Sequence, residues 1–155
     1  MNFVIHYLNI QQLRIHRLVY DIHMPDDLLN ESVPRLILQP LVENAIIYGI
    51  ERNIESDRIT IKGEQDVDWN RVIVEDNGSG LTYERLTQLT KQLEQPMSED
   101  IGCGTWNIHH RLLNQFGEGS GLTFQLGDNG GMRAVLTWKR EKQQELLPAA
   151  QGRRS

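Results

Sequence analysis

The sequence has 155 residues, of which 39% are hydrophobic and 24% are charged, and a net charge of −5. These values are typical of one soluble globular domain with a core, and the negative charge argues against a nucleic-acid partner. The single cysteine, Cys103, excludes an internal disulfide, and no apolar run is long enough to cross a bilayer.

Helical spacing of apolar residues in the first third of the chain predicts two helices. The first covers residues 3–17, and its broad apolar coverage suggests a helix that lacks a packing partner. A strand over residues 17–23 and a turn follow. The second helix is predicted to begin near Ser32 and to end at Gly49, with a kink or a broken first turn at Pro40.

Alternating apolar residues predict four strands in the rest of the chain. They cover residues 58–63, 69–75, 122–126 and 132–138, and a polar turn makes the first two an antiparallel pair. A helix is predicted over residues 81–93, followed by an exposed, mobile segment at 94–100. Residues 101–108 then lead into another predicted helix, which carries Ile108, Leu112, Leu113 and Phe116. Strands do not alternate regularly with crossover helices, so we predict an α+β two-layer sandwich: a mixed, mostly antiparallel sheet with helices on one face.

Three unusual features interrupt this pattern. Glu43 and Asn44 are polar residues in an apolar helix; they either face solvent or have a function, and Asn is a poor helix former. Asp76 ends a strand and is followed by Gly78 and Gly80, which fits either a plain turn or a ligand site.

The third feature is the pair Gly102 and Gly104 before a helix. Free backbone N–H groups at such a helix start can bind an anion, although the pattern is common by chance. The three features together are more specific than any one of them.

These features carry a resemblance to a known family. Residues 38–46 resemble the N box of sensor histidine kinases of the LytS/YesM-like subgroup, residues 76–80 resemble their G1 box, and residues 102–107 with Arg111 and Leu112 resemble their G2 box. The boxes occur in the family's order, and the match covers nearly the whole chain. The resemblance implies the ATP-binding Bergerat fold that gyrase, histidine kinases and MutL share.

The resemblance also implies roles for single residues, with ATP and Mg²⁺ as cofactors. Asn44 is expected to coordinate Mg²⁺ through its side-chain oxygen, and Asp76 to accept a hydrogen bond from the adenine amino group. Tyr48 is expected over the adenine, unless it is a core aromatic, and Glu43 is expected to polarise or orient the incoming imidazole. The other ATP-binding residues implied are Gly78, Gly80, Gly102, Gly104, Thr105, Asn107 and Arg111.

Three positions depart from the family pattern. Ile47 stands where many relatives have a phosphate-holding lysine, and either Arg52 or Arg111 is a candidate substitute. Trp106 stands where a basic residue is common, and Met132 where a threonine is common. None of these changes removes Asn44 or Asp76, so nucleotide binding is still expected.

The resemblance implies the following organisation and function. Residues 1–17 are the end of a dimerisation helix, residues 18–140 the catalytic domain, and residues 141–155 a disordered tail. The segment 82–100 is expected to be a mobile lid over the nucleotide. The domain is expected to transfer the ATP γ-phosphate to a histidine outside this sequence, for relay to a response regulator. In the full-length protein we expect a homodimer, in the cytoplasmic part of a membrane-anchored sensor kinase.

Two alternatives remain at this point. One is a serine kinase of the anti-sigma-factor type with the same fold, and the other is a nonenzymatic nucleotide-binding adaptor. A gyrase-like or MutL-like ATPase has a glutamate one turn before the metal-binding asparagine, whereas this chain has Pro40 there.

Overall fold

The computed structural model describes residues 2–29, 35–51, 57–78, 82–96, 103–128 and 130–140. Within these ranges the elements are α1 (Asn2–Arg14), β1 (Val19–His23), α2 (Asp26–Leu29), α3 (Arg35–Asn44), a π-helical segment (Ala45–Glu51), β2 (Arg58–Gln65), β3 (Trp69–Asp76), α4 (Tyr83–Glu94), α5 (Cys103–Phe116), β4 (Gly121–Leu126) and β5 (Met132–Lys139). No helix in the described ranges is long and apolar enough to span a membrane.

The five strands form one mixed sheet in the order β1-β2-β3-β5-β4. β1 pairs with β2 in parallel, and the other three pairs are antiparallel. The β4–β5 hairpin thus places its last strand next to β3, at the centre of the sheet. This topology confirms the predicted mixed, mostly antiparallel α+β architecture.

The burial pattern shows where the core lies. Every second residue of β3 is buried, namely Asn70, Val72, Val74 and Asp76, while the residues between them are partly exposed. This alternation is expected for a strand with one covered face. Helical residues such as Ile46 and Leu112 are fully buried in the same core, and each such side chain contributes about 1.5–3 kcal/mol.

The predicted strands are confirmed to within two residues at each end, whereas three helical details differ. α1 ends at Arg14 rather than at residue 17, and the predicted turn after β1 contains the short helix α2. α3 continues through Pro40, which removes only one intrahelical hydrogen bond. The change in helix type comes instead at Ala45, where the π-helical segment begins. The predicted cap Ser32 and the tail 141–155 lie outside the described residues.

α1 has one buried face and one exposed apolar face. Val4 and Leu8 are 3% and 0% exposed, and the helix packs against α3. Phe3, Ile10 and Leu13 are 69%, 50% and 76% exposed. The broad apolar coverage expected from the sequence is therefore present, and half of it lies on the surface.

Candidate functional site

Asp76 is the last residue of β3 and one of the few buried polar residues among those described. Its side chain is only 5% exposed, and its Oδ1 accepts a hydrogen bond from the Gly78 backbone N–H at 2.9 Å. Burial raises the pKa of Asp76; the N–H groups of Gly78 and Met132 oppose that rise, and the Glu75 charge adds to it. A carboxylate that is costly to ionise, at the end of a strand, has the properties of a ligand-binding group.

Asn77 fixes the chain immediately after Asp76. Its Oδ1 accepts hydrogen bonds from the backbone N–H groups of Asp57 and Arg58 at 3.0 and 2.9 Å, and its Nδ2 donates to Asp57 Oδ1 at 2.8 Å. The next element along the chain after this strand end is α4. This role of Asn77 was not predicted, although an Asn after a strand end commonly forms hydrogen bonds with nearby backbone.

The turn between β4 and β5 packs against this strand end. A β-carbon at Gly131 would lie 2.2 Å from the Asp76 backbone oxygen and 2.5 Å from Asp76 Oδ1. Only glycine fits so close to another backbone. The hairpin therefore forms one wall beside the buried carboxylate.

Glu43 and Asn44 are the last two residues of α3, and both side chains are half-buried. They are followed directly by the π-helical segment, which packs against β2 and β3. π-helical turns inside helices are rare and are frequent at functional sites. Tyr48 belongs to this segment, but its side chain is not among those that the structure describes. This irregularity had no sequence signal beyond a polar pair in an apolar helix.

α5 begins at Cys103, so Gly104 lies in its first turn and not in a turn before it. Thr105 is half-buried, whereas Asn107 and Arg111, four residues apart, are exposed on the same side of the helix. Gly102 and Gly80 lie outside the described residues. Helix N-termini in general offer backbone N–H groups to anions, which is the chemistry expected of this helix start.

Two aromatic side chains of α5 hold the end of α4. Trp106 Nε1 donates to the Gln95 carbonyl, and His110 Nε2 makes a hydrogen bond with the Leu93 carbonyl, each at 2.8 Å. The Trp106 and His110 rings stack with their centroids 4.0 Å apart. Trp106, noted only as a departure from the family pattern, is therefore a contact between the two helices.

From the sequence, His109 and His110 are best interpreted as exposed polar residues of this helix, and that interpretation is wrong. Both are half-buried, and His109 Nδ1 accepts a hydrogen bond from the Leu122 N–H at 3.0 Å. Burial and the neighbouring His110 lower the pKa of His109. Gly121 leaves the space for this ring, since a β-carbon there would lie 2.6 Å from Nδ1.

No cluster of three or more His, Cys, Asp or Glu side chains that could hold a metal occurs in the described ranges. Mg²⁺ does not need one, because it usually takes one or two protein ligands and completes its shell with phosphate and water. The half-buried amide oxygen of Asn44 fits that requirement as a single hard ligand.

The fold is an α+β sandwich, and a buried carboxylate at the end of its central strand marks the candidate site. Residues 30–142 match the model of a family described as histidine kinase-, DNA gyrase B-, and HSP90-like ATPase. The chain belongs to this family. Its members' shared activity implies that the chain binds nucleotide.

Several curated relatives are sensor kinases. The chain is 33% identical over 137 residues to sensor histidine kinase YesM of Bacillus subtilis, and 34% identical over 128 residues to sensor protein LytS of Oceanobacillus iheyensis. These matches cover 88% and 81% of this chain but only 22% of each relative. The domain is thus an ATP-binding catalytic domain of the sensor histidine kinase type. The chain spans under a quarter of the length of those relatives.

Solved structures show the same fold. The nucleotide-free catalytic domain of histidine kinase ThkA superposes with a TM-score of 0.61 at 16% identity, covering 89% of this chain and 92% of that one. A second ThkA structure, in complex with response regulator TrrA, gives 0.57 at 15% identity and covers 91% of this chain and 40% of that one.

Proposed function

We propose that this domain binds ATP with Mg²⁺ and donates the γ-phosphate to a histidine outside residues 1–155, as part of a two-component sensor kinase. One observation supports the nucleotide site above all. Asp76 is 5% exposed with a raised pKa, so its ionised form lacks full solvation and gains from a donor that enters the site. The adenine amino group is such a donor, and a hydrogen bond to a charged acceptor contributes about 1.5–3 kcal/mol.

At the adenine end, Asp76 fixes the orientation of the base. Gly78 and Gly80 let the loop pass against the ring without a side chain between them. Tyr48 covers the ring from the π-helical segment, whose packing against β3 supports this assignment. The Asn77 bonds to Asp57 and Arg58 keep this loop attached to β2.

At the phosphate end, Asn44 offers its amide oxygen to Mg²⁺. The bound metal ion supplies charge neutralisation for the phosphates. Gly104 and Thr105 lie in the first turn of α5, where we assign contacts with phosphate oxygens, and Asn107 lies in the next turn. The resemblance assigns the same role to Gly102. Ile47 is 39% exposed and carries no charge, and Arg111 is an exposed cation on α5 that is a candidate to replace the missing lysine. The other candidate, Arg52, lies outside the described residues.

Transfer requires the histidine to be brought to the γ-phosphate. Glu43 orients the incoming imidazole, and positioning with charge neutralisation supplies most of the catalysis, as in phosphoryl transfer generally. We assign residues 1–17 to the end of a dimerisation helix and residues 18–140 to the catalytic domain. The exposed side chains of Phe3, Ile10 and Leu13 are seven and three residues apart, which is the spacing of a helix-bundle seam.

The names of the relatives favour a histidine kinase over a serine kinase of the same fold. The presence of both Asp76 and Asn44 argues against an adaptor that has lost its nucleotide. We further propose that the full-length protein is a membrane-anchored homodimer whose cytoplasmic part phosphorylates a response regulator. ThkA, a structural neighbour, has been solved with the response regulator TrrA.

Calorimetric titration with ADP and ATP, with and without Mg²⁺, tests the nucleotide site. Asp76→Asn is expected to abolish binding without changing the circular dichroism, whereas Asn44→Ala is expected to remove the Mg²⁺ dependence. Asp68→Asn is the matched control, because Asp68 is exposed in the turn at the opposite end of β3. Equal affinities of the Asp76 and Asp68 variants would overturn the proposal.

A further inference from the structure

One ion pair lies next to Asp76. Glu75 and Arg133 stand directly opposite each other in the β3–β5 register, and Arg133 Nε donates to Glu75 Oε1 at 3.0 Å. Arg133 Nη2 also lies 3.5 Å from Asp128 Oδ2. The Glu75 and Arg133 side chains are 23% and 26% exposed, so solvent screens this pair less than a fully exposed one.

The turn between β4 and β5 connects this pair to Asp76. A β-carbon at Gly127 would lie 2.5 Å from Glu75 Oε2, and one at Gly131 would lie 2.5 Å from Asp76 Oδ1. The Gly127 N–H donates to the Gly131 carbonyl at 2.7 Å, which closes the turn. The two ends of one turn thus rest on two consecutive carboxylates of β3.

We propose that Arg133 is a positioning residue for the nucleotide-binding carboxylate of Asp76, and that it acts by pairing with Glu75. This inference rests on the proposed function, in which Asp76 binds adenine. The pair holds β5 in register where Gly131 and Met132 cover Asp76. It also neutralises Glu75, whose unpaired charge would oppose the ionisation of its neighbour.

The other charged groups on the elements around β3 either pair with residues other than Glu75 or lie elsewhere. Arg58 of β2 pairs with Asp21 of β1, and the Asp57 carboxylate accepts from Asn77. Glu43 lies on α3, ahead of the π-helical segment. Among the described residues, Arg133 is the cation that pairs with Glu75.

The test is ADP titration at neutral and mildly acidic pH with five variants, one of which is the Asp76→Asn variant introduced above. Arg133→Met is expected to weaken binding up to about fivefold at neutral pH, the effect of one lost cross-strand charge pair. As the pH is lowered, this variant is also expected to lose ADP binding at a higher pH than the unmodified protein does. Arg133→Lys keeps the charge and should recover most of the affinity. Glu75→Gln removes the negative charge that opposes the ionisation of Asp76, so binding should persist to a lower pH than in the unmodified protein.

Arg71→Met is the matched control. Arg71 pairs with Asp66 at 3.3 Å near the other end of β3, and its loss should leave the pH profile unchanged. The opposite shifts of the Arg133→Met and Glu75→Gln profiles are what a merely structural role would not produce. If Arg133→Met does not fold, the pH profile of ADP binding by Glu75→Gln alone decides whether the proposal holds.

The possible results distinguish a failure of the proposed function from a failure of the role proposed for Arg133. If the unmodified protein binds no ADP, the proposed function and this inference both fall. If it binds ADP and Asp76→Asn does not, but the Arg133→Met and Glu75→Gln profiles match that of Arg71→Met, only the role of Arg133 is wrong. Shifts of both profiles in the same direction would also overturn that role.

Discussion

Gly131 lies so close to Asp76 that a side chain at residue 131 would collide with both the backbone oxygen and the carboxylate of that residue. The contact joins a hairpin near the end of the chain to a strand end about fifty residues earlier. It explains why the turn of the β4–β5 hairpin, which connects two strands, also belongs to the candidate site.

Gly131→Ala is therefore expected to damage the site more than an ordinary glycine substitution. The methyl group would force β3 and the hairpin apart, and overpacking of this kind costs about 1–3 kcal/mol of unfolding free energy. ADP affinity should fall with it, because the Asp76 carboxylate is displaced. Urea unfolding and ADP titration measure the two effects.

Gly117→Ala is the control for this substitution. Gly117 has a φ of +89° and open space around it, so alanine there strains the backbone without touching the site. It should lower stability and leave ADP affinity unchanged. A Gly131→Ala variant that binds ADP as tightly as Gly117→Ala would contradict the contact.

The raised pKa of Asp76 predicts how stability changes with pH. Between the ordinary value of 3.8 and the raised one, the folded state binds more protons at Asp76 than the unfolded state does. Stability therefore falls as pH rises through that window, and it is regained on acidification. Asp76→Asn cannot titrate, so the unmodified protein should gain stability relative to this variant as the pH falls from neutral.

Paired urea unfolding of the ligand-free proteins at neutral and acidic pH measures this difference, and the other titrating groups cancel in it. Asp68→Asn again serves as the control. Parallel stability curves for the unmodified protein and Asp76→Asn would mean that the native pKa of Asp76 is not raised.

The hydrogen bonds of Trp106 and His110 are expected to stabilise the end of α4 against local unfolding. Trp106→Phe keeps an aromatic ring but removes the hydrogen bond to the Gln95 carbonyl, which contributes about 0.5–1.5 kcal/mol. Amide exchange at the C-terminal end of α4 should accelerate up to about tenfold. In the unmodified protein, ATP should slow exchange across residues 82–100 if this segment is the predicted lid.

Trp69→Phe is the control for exchange, because Trp69 lies at the start of β3, where its ring is next to Gly119. Equal exchange of α4 in the two tryptophan variants would show that the Trp106 hydrogen bond does not hold the helix. Equal protection of residues 82–100 with and without ATP would count against the lid.

The strands and the position of Asp76 were predictable because they depend on local alternation and on a carboxylate followed by glycines. The π-helical segment was not, since the sequence from Ala45 onward continues an ordinary helical pattern and only packing against β2 and β3 changes it. The roles of Gly131 and Arg133 depend on the order β3-β5-β4. That order places them beside Asp76 only after the sheet has formed, and no local pattern encodes it.

The final prediction concerns the phosphate acceptor. Residues 1–155 are expected to bind ATP without labelling themselves, because we place the acceptor histidine outside this sequence. His6, His16 and His23 are exposed, whereas His109 and His110 are half-buried and engaged in hydrogen bonds with Leu122 and Leu93. Radiolabelled γ-phosphate should give acid-labile label on a longer chain that includes the upstream helix, and none on residues 1–155. The longer chain with Asp76→Asn is the control and should remain unlabelled. Strong label on residues 1–155 would identify one of its own five histidines as the acceptor and would remove the need for an upstream one.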